Sequence, residues 1–275
     1  MKRQKQVLAR AALLLGLLAL STGAKALPMG YGVDGNGDFY SIDLTTGTST
    51  FIGTTGIASP SSEIVEGLAM NGSGGLYATT SLGKLYSVNS TNGAFSAIGD
   101  TGRGNIEGLD FRGNELLGIK FDNISGGSIA AQDVFSIDLG SAATSNITTL
   151  DRNDIDLTSA MTVQDANTAL FVGTLTLGTS SLFSLDLGSG TTNFIGDLDR
   201  FVGGLDFTTD GTLYGLGNAG SVLRIDPNTA ATTTVGSSGN QLWLAFTTYS
   251  VPEPGSAVLL AIGLAGLMLA RPRRS

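Results

Sequence analysis

The sequence predicts an all-β fold made of repeated four-stranded units, and three observations carry that prediction. One hairpin pattern occurs five times: "FYSIDLTTGTSTFIG" (39–53), "LYSVNSTNGAFSAIG" (85–99), "VFSIDLGSAATSNIT" (134–148), "LFSLDLGSGTTNFIG" (182–196) and "VLRIDPNTAATTTVG" (222–236). The copies start 46, 49, 48 and 40 residues apart, the spacing of one supersecondary unit stacked on its like. A second strand–turn–strand pattern precedes each of the last four copies, and the composition suits both. Glycine stands at 40 residues, about twice the usual ~7 %, and charged residues at 14 % against ~25 %. Short strands joined by tight turns use residues in these proportions.

Each of the five copies alternates apolar and polar residues, passes through a Thr, Gly or Asn turn, and ends a second short strand at or near Gly. That is a hairpin, whose strands are labelled C and D. The preceding pairs, "GLAMNGSGGLYATT" (67–80), "GLDFRGNELLGIKF" (108–121), "AMTVQDANTALFVGT" (160–174) and "GLDFTTDGTLYGLG" (204–217), supply strands A and B. A four-stranded unit of this period matches a β-propeller blade. The first hairpin has "GYGV" (30–33) as strand B but no strand A, while "LWLAFTTYS" (242–250) matches strand A and has no blade. The expected architecture is therefore five blades with circular closure, residues 242–248 completing the first blade and removing an unpaired edge. Leu242, Leu244 and Phe246 are the expected core positions of the closing strand, and Trp243 is expected to pack rather than to receive a ligand.

Composition also excludes chemistry. With no histidine and no cysteine, the chain has no Ser-His-Asp triad, no Cys-His pair, no imidazole-bound zinc and no disulfide framework. Residues 27–251 hold seven basic against 22 acidic residues, a net charge of −15 that repels phosphate backbones. Nucleic acid is thereby excluded as a natural partner.

Both ends read as addresses. A basic stretch, the apolar run "AALLLGLLALSTG" and the small-x-small "AKA" form a signal peptide over residues 1–26, cut between Ala26 and Leu27 by signal peptidase. After the repeat domain at 27–250 come "VPEPG" (251–255), an apolar segment (256–270) and "RPRRS" (271–275). The uncharged run 255–270 reaches only ~24 Å as a helix, short of a ~30 Å hydrocarbon core, so it spans with local thinning and arginine snorkelling. The arginines hold its end in the cytoplasm and place the body across the membrane.

This order of Pro252, Glu253 and Pro254, apolar helix and arginine cluster resembles the PEP-CTERM sorting tail. The resemblance covers the last 25 residues and no part of the body. It implies an exosortase partner in the inner membrane of a Gram-negative bacterium. It also implies processing near Pro252, Glu253 and Pro254, transient anchoring, and delivery to the cell envelope, cell surface or extracellular matrix.

Candidate site residues follow from the strand order. Asp43, Asp138, Asp186 and Asp226, with Asn89 in the second copy, stand just before the C–D turns, where a carboxylate or amide caps the turn. The D–A connections carry nine acids (Glu63, Glu66, Asp100, Glu107, Asp151, Asp154, Asp156, Asp197, Asp199) and three bases (Arg103, Arg152, Arg200) on one face. Glu66 and Glu107 occupy matching places directly before strand A, near the channel mouth; the first reading of this face is a solvated acidic rim, and the alternative makes the two glutamates ligands of a weakly bound calcium ion. "DGNGD" (34–38) opens like a calcium loop, but Phe39 and Thr45 stand where that loop needs Gly and Glu, so a B–C turn explains it better. No other cofactor is expected.

Three classes of function remain. The sorting tail favours a non-catalytic binding or scaffold protein of the surface or biofilm matrix, partnered by exopolysaccharide or another matrix protein. A propeller-type hydrolase, either a glycosidase or a calcium-dependent lactonase working through channel carboxylates, is the second. The third is a purely structural repeat protein.

Overall fold

The computed structural model describes residues 27–57, 63–120, 132–152, 154–175, 180–239 and 241–251. The expected signal segment at 1–26 and the sorting tail from Pro252 onward lie outside them. The described residues form five four-stranded antiparallel sheets. The first joins β20 (Trp243–Val251) to β1 (Leu27–Asp34), β2 (Asp38–Asp43) and β3 (Ser49–Thr54). The second runs β4 (Val65–Met70), β5 (Leu76–Thr80), β6 (Lys84–Val88) and β7 (Phe95–Asp100). The third runs β8 (Ile106–Arg112), β9 (Glu115–Lys120), β10 (Asp133–Ile137) and β11 (Thr144–Thr149). The fourth runs β12 (Ile155–Val163), β13 (Thr168–Leu175), β14 (Ser180–Asp186) and β15 (Thr192–Asp197). The fifth runs β16 (Val202–Phe207), β17 (Leu213–Gly217), β18 (Ser221–Ile225) and β19 (Thr232–Ser237). The only helical piece among the described residues is one 3₁₀ turn, Asn218–Gly220, and no described helix is long and apolar enough to cross a membrane.

This is a five-blade β-propeller closed by its last strand. The core is five wedges, each filled from two neighbouring blades, rather than one central mass. The wedge between the fifth and first blades holds Ile42, Leu44, Tyr214, Leu216, Val222, Trp243 and Phe246, so closure is sealed by packing as well as by strand pairing. Trp243 is fully buried with its ring edge-on to Tyr40 at 5.4 Å, a packing residue as the sequence suggests. The register of the closing strand differs from the expected one. Leu242 is 49 % exposed and Leu244 half-buried, while Trp243, Ala245 and Phe246 point inward.

The recurrent turn chemistry has a visible purpose. Asp43, Asn89, Asp138, Asp186 and Asp226 each accept the amide two residues on, at 2.7–3.1 Å, as expected of caps. Each turn then passes through a left-handed residue: Gly47, Gly93, Ala142, Gly190 or Ala230, with φ between 60° and 79°. That residue lies against strand D of the preceding blade. A Cβ on Gly47 would come within 2.6 Å of the Gly236 backbone, and one on Gly196 within 2.7 Å of the Thr229 carbonyl. Glycine near the end of strand D thus lets neighbouring blades interlock on their rims. "DGNGD" is the first B–C turn: the amides of Asn36 and Asp38 donate to Asp34 Oδ1 at 2.9 and 3.0 Å.

Candidate functional site

The innermost strands carry the functional candidates at both ends of the axis. In β4, β8 and β16 the pairing register slips by one residue, leaving Glu66, Glu107 and Gly203 as bulged residues, and in β12 it slips twice, at Asp156 and at Ser159. A bulge re-aims the extra side chain, and here Glu66 and Glu107 line the same axial cavity. They therefore lie inside strand A rather than before it, but they do converge on the axis. The cavity measures about 10 Å³, room for one water-sized body. Leu68, Leu109, Met161, Leu205 and Phe246 line it too, each under 5 % exposed and each packed in a different wedge between blades.

Glu66 is 7 % exposed, and its Oε2 has no hydrogen-bond partner. Burial, then the neighbouring Glu107 charge, pushes its carboxyl up to about 8. Burial alone pushes Glu107 up to about 7. Among the described residues no third His, Cys, Asp or Glu joins them.

At the opposite end of the same strands lies a second carboxyl pair that sequence reasoning did not single out. Asp110 and Asp206 stand at matching places in β8 and β16. Asp110 Oδ2 accepts Val163 N–H at 2.6 Å and Asp206 Oδ2 accepts Thr248 N–H at 2.6 Å, so each ties its blade to the next. Thr247 Oγ1 donates to Asp206 Oδ2 at 3.0 Å, while Met70 N–H donates to Thr247 Oγ1 at 3.2 Å. Thr162 Oγ1 stands 3.0 Å from Asp110 Oδ2 and 3.2 Å from Asp206 Oδ1. A hydroxyl has one proton to give; both contacts are satisfied together when one carboxyl is protonated and donates back. The electrostatics agree. Burial, then the Asp206 charge, pushes Asp110 up to about 8, and burial raises Asp206 as well.

Above this pair opens a bowl of about 640 Å³. Its floor is Asp110 and Asp206, its apolar walls include Met70, Phe111, Val163, Phe207 and Tyr249, and Asn71 adds an amide. Volume and lining both suit a small-molecule or oligomer-end site. The signal in the sequence was the repeated "GLDF" at 108–111 and 204–207.

The acidic face is less exposed as charge than its composition implies. Glu63 accepts Lys84, Thr80 and Tyr86; Arg103 pairs with Asp133 at 3.5 Å; Arg152 pairs with Asp154 at 2.6 Å; and Arg200 pairs with Asp199 at 2.9 Å. Arg103 also lies over Phe135 at 4.4 Å, and Arg152 over Phe183 at 5.4 Å, so both arginines fasten a loop to the next blade.

Many solved structures are similar to the chain, among them the following three. BamB from Moraxella catarrhalis is 16 % identical, with TM-score 0.36, over 74 % of this chain and 57 % of that one. A protein provisionally assigned as a 6-phosphogluconolactonase, from Bacteroides fragilis, is 12 % identical, with TM-score 0.44, over 83 % and 99 %. The tricorn protease is 17 % identical, with TM-score 0.46, over 78 % and 21 %. The chain thus spans little more than half of BamB, and at these scores none of the three bears on activity. No curated protein matches the chain. The family model of the PEP-CTERM protein-sorting motif matches residues 250–274. The chain is therefore a five-blade β-propeller that carries a PEP-CTERM sorting motif at its C-terminus, the mark of an exosortase-processed protein exported to the Gram-negative envelope or surface.

Proposed function

We propose that the protein is a non-catalytic binding module of the cell surface or extracellular matrix, and that its ligand is a neutral glycan segment seated in the bowl. One observation carries this reading. The bowl offers half-buried apolar and aromatic walls with an amide, while both carboxyls on its floor are already engaged by main-chain donors of neighbouring blades. Such carboxyls hold the ring together, and ligand contact falls to Phe111, Phe207, Tyr249 and Asn71. Sugar rings present C–H faces to aromatic walls and hydroxyls to amides. The net charge of −15 on residues 27–251 disfavours an anionic polymer.

A glycan array probed with the full-length chain tests the reading. Specific retention of a neutral glycan is expected, weakened at least tenfold in Phe111→Ala, Phe207→Ala. Absence of binding to every glycan, or equal binding by the double variant, refutes it. A hydrolase is the second reading, favoured by Asp110, whose raised pKa leaves a proton donor at neutral pH beneath an open bowl. Turnover of a bound glycan that disappears in Asp110→Asn with binding retained decides for it.

A further inference from the structure

We infer that the axial cavity between Glu66 and Glu107 is a calcium site. It shares no lining residue with the bowl and stands independently of the glycan reading. Two adjacent blades each spend a β-bulge on aiming a glutamate at one cavity. Glu66 is more than nine-tenths buried and lines that cavity, and its Oε2 has no hydrogen-bond partner. A buried carboxylate oxygen with no partner is costly, so something that the protein atoms do not supply must compensate it.

The chemistry of the cavity selects the guest. Its charged donors are carboxylate oxygens, which call for a hard cation. Two carboxylates carry two negative charges; a divalent ion balances both, and sodium leaves one. Magnesium demands near-ideal octahedral geometry and keeps several waters, for which about 10 Å³ has no room. Calcium sheds water more readily and accepts bidentate carboxylates and irregular carbonyl ligands. Glu107 is only half-buried, so the mouth side stays open to the incoming ion. With two carboxylates and no third acid among the described residues, affinity falls at the weak end, ~0.1–1 mM.

The test is thermal unfolding and titration calorimetry of the full-length chain with calcium chloride, magnesium chloride or neither. At 10 mM calcium and a dissociation constant near 1 mM, mass action raises the midpoint by about 3–6 °C. Calorimetry should give one calcium per chain, and magnesium should give no comparable shift. Glu66→Gln, Glu107→Gln keeps the side-chain shapes and should melt no lower without calcium, yet lose both the shift and the binding heat. Should the double variant fail to fold, Glu107→Gln alone, which alters the half-buried partner, carries the same expectation. No shift at 10 mM, an equal shift with magnesium, or a shift that survives in the variants overturns the assignment.

Discussion

Closure of the ring by β20 can be broken without touching any other strand. Two truncations of the same chain isolate it: one ends at Ser250 and keeps the strand through its buried part, the other ends at Gly239 and removes it. The magnitude follows from what β20 buries. Trp243 and Phe246 are 0 % and 3 % exposed in the wedge between the fifth and first blades, and truncating a buried Trp or Phe costs ~3–5 kcal/mol each. Losing β20 also strips Asp206 of the Thr247 hydroxyl and the Thr248 amide, leaving a buried carboxyl short of donors at ~1–3 kcal/mol. Together these losses come to about 7–13 kcal/mol, against a net stability of ~5–15 kcal/mol for a typical domain. The Gly239 chain should therefore be unfolded or aggregated at room temperature, while the Ser250 chain melts cooperatively. Far-UV circular dichroism during heating reads both. A milder companion, Phe246→Ala in the full-length chain, should lower the midpoint by ~6–20 °C. Equal midpoints for the two truncations would refute closure by the last strand, whatever Phe246→Ala did.

The interlocking of rims predicts that Gly236→Ala costs ~1–3 kcal/mol by forcing a methyl into the Thr46–Gly47 backbone. Gly211→Ala, at φ +81° in open space, should cost only ~1 kcal/mol, and the reverse order in chemical denaturation would discard the rim argument. For pH, Asp110 titrates near 8 in the folded state and near 4 when unfolded, so its contribution is complete below about pH 4 and lost as pH rises through 8; Asp206 acts in the same direction. The turn aspartates Asp43, Asp138 and Asp186 are lowered and act oppositely below about pH 4, so the calcium-free midpoint should peak in mild acid and fall towards pH 9, and a midpoint rising from pH 5 to 9 would contradict the buried pair. Cells with an active exosortase should yield a body ending near Pro254 in mass spectra of the surface fraction, and recovery only of chains ending at Ser275 would count against processing.

What the sequence made legible was whatever is local or repeated. Alternation, turn residues and the fixed period located the hairpins, and the orphan strand at 242–250 located the closure. The phase of the innermost strands was not legible. Three of them carry a one-residue bulge and β12 carries two, and on a period of two each extra residue moves the following side chains to the other face. The closing strand was likewise misread, with Leu242 and Leu244 assigned inward where Trp243 and Ala245 point. Glu66 and Glu107 could be paired in advance because adjacent blades carry them at one column of the repeat. Asp110 and Asp206 occupy one column too, yet their blades are separated by a third. Thr162 of that intervening blade bridges them, and the bridge exists only because five innermost strands close around a narrow axis. On such an axis separation along the chain counts for little. Residues 96 positions apart share one hydroxyl group, while Glu107 and Asp110, three apart, serve opposite ends of the ring. A propeller of this size thus exposes its chemistry column by column across the A strands, and each column must be read with its bulge in place before any carboxyl can be assigned to the axial cavity or to the bowl.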